Sequence, residues 1–146
     1  MISIDANILL YSYAAASPFH ASATRFLEKL SPKGDVILSE FVLAEFYLLL
    51  RNPVVLENPL DAPAATAVIT SYRKHPRWKT CGFPPQSREI HDELWKRAGI
   101  ANFARRRIYD TRTALSLLAF GVTDFATLNL KDFQSFEFKK VWNPLV

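Results

Sequence analysis

The sequence predicts a single α/β domain with a mainly parallel sheet. Short apolar segments alternate with longer capped segments of helical character, and this alternation is typical of parallel strands joined by crossover helices. The chain has 146 residues, of which 49% are hydrophobic and 13% aromatic. A chain of this length and composition can form one domain with a substantial core, so neither disulfides nor a structural metal is needed for folding.

Two serines mark helix starts in the first half of the chain. Ser17 precedes Pro18, and Ser39 precedes a long apolar segment; a serine hydroxyl there accepts a hydrogen bond from the first helical turn. In chain order we expect a strand at Ile2 to Asp5, a helix from Ser17 to about Leu30, a strand at Val36 to Leu38, a helix from Glu40 to Arg51, and a loop from Asn52 to Pro63. The second of these helices is apolar nearly all round, so it should be central.

Capping residues and glycines also delimit the second half. Gly99 and Gly121 are suited to end helices, and Asp61 and Ser87 to begin them. We expect helices from Ala62 to about Tyr72, from Ser87 to Ala98 and from about Tyr109 to Phe120, a short extended piece at Trp78 to Cys81, a strand at Phe125 to Thr127, and a last strand at Lys140 to Trp142.

Charge and cysteine content narrow the functional classes. The net charge of +4 is compatible with simple solubility or with attraction to a polyanion such as RNA. The single Cys81 cannot form an internal disulfide, and with no signal peptide we expect a cytoplasmic protein. The most apolar stretch is far shorter than the roughly 20 residues of a membrane helix, so no membrane association is expected.

Three carboxylates stand in apolar surroundings. Asp5 ends the first strand, Glu45 interrupts the apolar helix, and Asp110 opens a later apolar helix. An ionised carboxylate in such a place is costly unless it is paired or bound to a metal. Each of the three could instead be structural, as a strand end, a partner of a nearby arginine or a helix cap. Together, in three separate elements, they indicate a pocket for a hard divalent cation.

The predicted topology brings these groups to one place. In parallel α/β sheets, ligands bind outside the carboxyl ends of the strands. Asp5 lies at the end of the first strand, and Asn129 lies just beyond Thr127 at the end of a later strand. Glu45 and Asp110 are on helices that should pack against the sheet. We therefore expect all four side chains at one rim.

Four stretches, in this order, resemble the successive motifs of a PIN domain. They are Ile4-Asp5-Ala6-Asn7, Leu43-Ala44-Glu45-Phe46 with Arg51-Asn52-Pro53 downstream, Tyr109-Asp110-Thr111-Arg112-Thr113-Ala114-Leu115, and Thr127-Leu128-Asn129-Leu130-Lys131-Asp132-Phe133. The ending Val141-Trp142-Asn143-Pro144-Leu145 is similar to that of a subset of VapC-type toxins. The resemblance covers nearly the whole chain and implies a single PIN-like domain over residues 1–146, with a three-layer fold.

The resemblance also implies an activity. It implies a Mg²⁺- or Mn²⁺-dependent endoribonuclease, a hydrolase that is the toxin of a VapBC-like toxin–antitoxin pair. Asp5, Glu45 and Asp110 match the metal-binding acidic positions, and Asn129 stands where an aspartate is common. The implied partners are an RNA substrate, a VapB-type antitoxin and a second copy of the chain in a homodimer.

Other functions fit parts of the sequence. Loss of a charge at Asn129 would suit a catalytically weak or inactive PIN-like module that binds RNA or protein. A metal-dependent enzyme acting on small phosphate esters is a second alternative. Arg105, Arg106 and Arg112 are candidate contacts to RNA, although short basic runs are often only solvated, and Arg112 could instead organise the acidic cluster.

Overall fold

Five short parallel strands form the centre of the protein in the computed structural model, which describes residues 1–146. They are β1 (Ile2–Ile4), β2 (Ile37–Ser39), β3 (Lys79–Cys81), β4 (Asp124–Ala126) and β5 (Lys140–Trp142). The strands pair in the order β1-β4-β5 in one sheet and β2-β3 in another, and every pairing is parallel. A single parallel bridge between Ile2 and Val36 joins the two groups, so the expected sheet is nearly interrupted at its middle.

Seven helices surround these strands. They are α1 (Ala6–Tyr13), α2 (His20–Leu30), α3 (Glu40–Leu50), α4 (Ala62–Arg73), α5 (Ser87–Ala98), α6 (Arg107–Ala119) and α7 (Leu130–Phe133). None of them has both the length and the apolar run that a membrane-spanning helix requires.

Two of the helices lie outside the predicted elements. Helix α1 begins directly after β1, where Asp5 caps it by accepting a hydrogen bond from the backbone N–H of Ala6. Helix α7 is a single turn after β4. One residue between strand and helix leaves no turn signature, and a single turn has no periodicity to detect.

Two predicted helix caps were wrong, each by one or two positions. Ser17 caps no helix, because its hydroxyl accepts from the N–H of Phe19 within a turn that precedes α2. Ser87 is the first residue of α5, whose cap position is occupied by Gln86. Ser39 and Asp61, in contrast, cap α3 and α4 as predicted, with hydroxyl or carboxylate oxygens accepting backbone N–H groups.

Alternation along the strands divides the core into two layers. Ile4, Leu38 and Ala126 pack with the helices α1 to α4, whereas Ile37 and Phe125 face the other way. That second face is covered by side chains of α6 and α7. Helices therefore flank both sides of the strands, which confirms the predicted three-layer architecture.

Helix α3 is only partly central, which corrects the prediction of burial on all sides. Phe46 and Leu50 are fully buried, whereas Ala44, Glu45 and Leu48 are exposed. The carboxylate of Glu45 thus lies on the one uncovered face of an otherwise apolar helix.

Candidate active site

Asp5 is the buried centre of the site. It follows β1, whose end is fixed by a hydrogen bond from the Asp5 backbone N–H to the carbonyl of Ala126 (2.9 Å). Its Oδ1 accepts from the N–H of Ala6 (2.8 Å), and its Oδ2 accepts from the hydroxyl of Thr127 (2.6 Å). Burial raises the pKa of Asp5, and these two hydrogen bonds oppose that rise by stabilising the charged form.

Thr127 connects the first strand with the segment that carries Asn129. Its hydroxyl donates to Asp5 and accepts from the backbone N–H of Asn129 (3.0 Å). Asn129 itself is exposed at the start of α7, and its side chain makes no capping hydrogen bond. The Thr127 hydroxyl therefore links the Asp5 carboxylate to the backbone of Asn129, and sequence reasoning gave this hydroxyl no role.

Glu45 is electrostatically coupled to the other two predicted carboxylates. Its pKa is raised to about 7, first by burial of the carboxylate and then by the negative charges of Asp5 and Asp110. The residue keeps an exposed surface, so water moderates this coupling. It forms no ion pair, and of the arginines considered as partners, Arg51 instead donates to the hydroxyl of Tyr47. The ion-pair interpretation of Glu45 is thereby excluded.

Asp110 lies in the first turn of α6, on the helix face that packs inward through Ala114 and Leu117. Its pKa is raised to about 6, first by burial and then by the charges of Asp5 and Asp132, while the positive charge of Arg107 opposes the rise. No hydrogen bond links its side chain to the start of the helix, so a capping role is excluded. The negative charge of Asp5 thus acts on both Glu45 and Asp110.

Asp132 is a fourth carboxylate at this rim. It lies half-buried on α7, and its negative charge contributes to the raised pKa values of both Asp5 and Asp110. No role in the site was predicted for it from the sequence. Asn129 is neutral where an aspartate is common, and Asp132, three residues later on α7, adds a negative charge that acts on Asp5 and Asp110.

The donor set of the rim fits a hard divalent cation. It consists of carboxylate oxygens that repel one another, and none of the molecule's three salt bridges involves them. No three His, Cys, Asp or Glu side chains are arranged to hold an ion by themselves. Mg²⁺ commonly keeps several waters and takes only one or two carboxylates together with substrate phosphate, so an open, oxygen-only rim suits it.

Arg112 does not organise the acidic cluster. Its guanidinium carbon lies 4.3 Å from the ring centroid of Phe41, 5.4 Å from that of Tyr109 and 6.0 Å from that of Phe83. It forms no salt bridge, and its buried Nε has no partner. The arginine that acts on Asp110 is Arg107, one turn earlier on α6.

A cleft of about 520 Å³ opens beside Glu45 and Asp110, whereas Asp5 and Asn129 do not line it. Its lining includes Glu45, Asp110, Arg106 and Arg112. Arg105 is exposed in the loop just before α6 and does not line the cleft. Acidic side chains and basic side chains thus share one opening.

Other ionisable groups lie away from this opening. Asp124 begins β4 and pairs in register with Ile2, at the opposite end of the strands from Asp5. Cys81 is buried in the core, and this burial raises the pKa of its thiol to about 11.

Comparison with known proteins identifies the family. A family model described as PIN domain matches residues 2–120. Ribonuclease VapC24 of Mycobacterium tuberculosis is 41% identical to the chain over 145 residues, which cover 99% of this chain and 97% of that relative. The same relative from a second strain of that organism gives the same values.

Solved structures show the same fold. VapC20 of Mycobacterium tuberculosis, described as a toxin that cleaves the sarcin–ricin loop, superposes with a TM-score of 0.68 at 15% identity, covering 93% of this chain and 96% of that one. FitAcB of Neisseria gonorrhoeae gives a TM-score of 0.66 at 18% identity, covering 99% and 98%. VapBC2 of Rickettsia felis, bound to a promoter DNA fragment, gives 0.64 at 18%, covering 98% of each. By its family match, its relative and its fold, the chain belongs to the PIN-domain family, within the VapC branch.

Proposed function

We propose that this protein is a Mg²⁺- or Mn²⁺-dependent endoribonuclease and the toxin of a VapBC-like toxin–antitoxin pair. The observation that carries the proposal is the placement of Glu45 and Asp110 in one cleft, where the buried Asp5 lies near enough for its negative charge to contribute to the raised pKa of both. Its relative VapC24 is a ribonuclease by name, and 41% identity over nearly the full length supports the same activity here.

The proposed site binds its cation through Asp5, Glu45 and Asp110, with Asn129 contributing through its side-chain oxygen or a bridging water. When bound, a divalent cation lowers the pKa of a coordinated water, neutralises the scissile phosphate and stabilises the leaving oxygen. Thr127 holds the Asp5 carboxylate in one orientation, with both oxygens hydrogen-bonded. Burial and the charges of Asp5 and Asp110 raise the pKa of Glu45 to about 7 without the cation, so a cation bound there would displace a proton from Glu45 below that pH.

The alternative of an inactive binding module rested on the neutral Asn129. Asp132 weakens that alternative, because it supplies a further negative charge felt by Asp5 and Asp110. Arg106 and Arg112, in the cleft, and Arg105, beside it, are proposed to contact the RNA backbone. These contacts compensate for the repulsion between an acidic site and a polyanion.

Cleavage of RNA tests the proposal directly. A labelled RNA is incubated with the protein in Mg²⁺, in Mn²⁺, and in EDTA followed by re-addition of Mg²⁺. We expect cleavage with either metal, loss in EDTA and recovery on re-addition. Binding without cleavage would favour the inactive module, and hydrolysis of small phosphate esters alone would favour the phosphoesterase. Either outcome would contradict the proposal.

An antitoxin is the second proposed partner. The neighbours FitAB and VapBC2 carry names of two-component complexes, which supports a similar pairing here. A groove of about 490 Å³ between α3 and α4 is lined mainly by apolar side chains, and it shares Ala44 and Leu48 with the acidic cleft. We propose that an antitoxin segment fills this groove and places a basic side chain against Glu45, which would exclude the cation.

A homodimer is proposed as well. Several large apolar side chains remain exposed on one copy of the chain, and such surfaces often mark contacts between subunits. They include Leu48, Val54 and Ile100. Light scattering of the isolated protein tests this, and a strictly monomeric species at high concentration would contradict it. A cytoplasmic location also remains a prediction, supported by the single, buried thiol.

A further inference from the structure

Arg112 is held in an unusual way beside the cleft. Three aromatic rings, from Phe41, Phe83 and Tyr109, surround its guanidinium at 4.3 to 6.0 Å from the ring centroids. Phe41 and Phe83 also contact each other edge to face, with centroids 4.9 Å apart. The guanidinium is therefore held in place by these aromatic rings and not by hydrogen bonds.

The donors of Arg112 are not used within the protein. Its side chain makes no hydrogen bond and no ion pair, and its Nε is buried without a partner. A guanidinium carries five N–H donors in a planar fork that matches phosphate oxygens. Because Arg112 lines the same cleft as Glu45 and Asp110, its unused donors lie where a substrate anion would enter.

Two of the three rings are open to solvent. Phe83 is 61% exposed and Tyr109 is 67% exposed, whereas Phe41 is partly buried. Both rings lie around Arg112, and an exposed apolar patch that borders polar groups often marks a site for a ligand or partner. Aromatic side chains beside a cationic groove are the common means by which proteins bind single-stranded nucleic acid, because every base has a face that can stack.

We propose that Phe83 and Tyr109 form a stacking platform for an unpaired base, and that Arg112 binds the phosphate next to that base. This proposal rests on the proposed function and deepens it, since it specifies the class of RNA. A base within a duplex has both faces covered by its neighbours, so only a single-stranded or looped RNA could use the platform. The positive charge of Arg112 favours RNA over an apolar protein surface as the ligand of this platform. An apolar surface would bury Arg112 and leave its charge unpaired.

Binding to a fluorescent RNA tests the platform without requiring cleavage. A short single-stranded RNA that contains 2-aminopurine is titrated with protein in EDTA, in parallel with the same strand annealed to its complement. The variants are Phe83→Leu and Tyr109→Leu, which keep an apolar side chain but remove the ring, and Tyr109→Phe, which keeps the ring. Trp95→Leu is the matched control, since Trp95 is 63% exposed on α5 and does not line the cleft.

We expect the single strand to bind more tightly than the duplex and its 2-aminopurine fluorescence to be quenched. Each ring-removing variant should weaken binding about tenfold and relieve the quenching, whereas Tyr109→Phe and Trp95→Leu should behave like the unaltered protein. Equal binding of single strand and duplex, or unchanged quenching in both leucine variants, would overturn the platform.

Two controls separate this proposal from its alternatives. Light scattering on the same variants detects a contact between copies: if ring removal changes the oligomeric state while quenching persists, the patch is a subunit interface and the platform is overturned. Cleavage assays on the unaltered protein report on the nuclease itself. An inactive protein that still shows ring-dependent quenching would contradict the proposed function and support the platform.

Discussion

The proposed cleavage of RNA depends more on the carboxylate of Asp5 than on any other side chain. Replacing it with asparagine removes one negative charge from a buried, repulsive group. We predict that Asp5→Asn lowers the rate of RNA cleavage by roughly 100-fold or more, while the free energy of unfolding without metal stays the same or rises. Cleavage rates and urea unfolding check this, with Asp35→Asn as an exposed control. Full metal-dependent activity in Asp5→Asn would rule out the assignment.

The hydroxyl of Thr127 should act on the reaction through Asp5. Thr127→Val removes a hydrogen bond to the charged form of Asp5, so the pKa of Asp5 should rise further. We predict a loss of activity of roughly 10- to 100-fold, and a shift of the acidic limb of the pH–rate profile to higher pH. Thr127→Ser keeps the hydroxyl and should retain the profile. A valine variant whose rate and profile are both unchanged would remove Thr127 from the site.

The residue scale also shows what sequence can and cannot predict. Asp5, Glu45 and Asp110 were found because a charge in an apolar segment is visible in one dimension. Thr127 and Asp132 were not assigned to the site, because a hydroxyl at a strand end and an aspartate in a turn are ordinary in sequence. The role of Thr127 arises from a hydrogen bond to Asp5, more than 100 positions away in the chain. The role of Asp132 arises from the effect of its charge on Asp110, more than 20 positions away.

At the scale of elements, α7 is held in place by Arg107 of α6. The guanidinium donates to the carbonyl of Asp132 (3.1 Å) and to the hydroxyl of Ser135 (3.4 Å), and its charge opposes the raised pKa of Asp110. We predict that Arg107→Gln raises the pKa of Asp110 above about 6, so that activity falls more at acidic than at alkaline pH. Hydrogen exchange at α7 should also accelerate.

Arg107→Lys is the matched variant for this prediction. It keeps the positive charge near Asp110 but cannot reproduce the planar fork of donors. The pH–rate profile should therefore recover, while the exchange of α7 amides stays fast. If the glutamine and lysine variants have identical pH profiles, the charge of Arg107 has no role in the ionisation of Asp110.

The order of the strands and longer helices could be predicted from the sequence, but the connections between them could not. Strands and capped helices such as α3 and α4 follow from apolar runs and capping residues. Helix α1 was missed because Asp5 serves at once as strand end, helix cap and site residue, with no intervening loop. The sheet is nearly interrupted between β1 and β2, which share only the bridge between Ile2 and Val36. This pairing depends on how distant segments pack side by side, and it leaves no local signal in the sequence.

At the scale of the whole molecule, a basic chain must bring a polyanion to an acidic site. We predict that RNA binding weakens as salt rises, with a slope that reflects several phosphate contacts. Arg105→Glu and Arg106→Glu should each weaken binding about equally for all RNA sequences and lower that slope. Arg25→Glu, an exposed charge reversal on α2, is the control. Binding that does not depend on salt would place RNA capture elsewhere.

The same acidic site makes stability depend on pH. The folded protein holds the protons of Asp110 and Glu45 up to about pH 6 and about pH 7, respectively, well above the usual carboxyl range. The native state therefore binds more protons than the unfolded chain across this window. By linkage, the contribution of these groups to stability is present at low pH and is lost as pH rises through their folded pKa values. A bound cation should offset that loss.

Thermal unfolding with and without Mg²⁺, at about pH 5 and about pH 8, tests most directly whether the rim of Asp5, Glu45 and Asp110 is a cation site. We predict that Mg²⁺ raises the unfolding temperature clearly at the higher pH and little at the lower. In Asp5→Asn the effect should be strongly reduced, and in Asp35→Asn it should be retained. No stabilisation at the higher pH, or equal stabilisation of the unaltered protein and Asp5→Asn, would contradict this account.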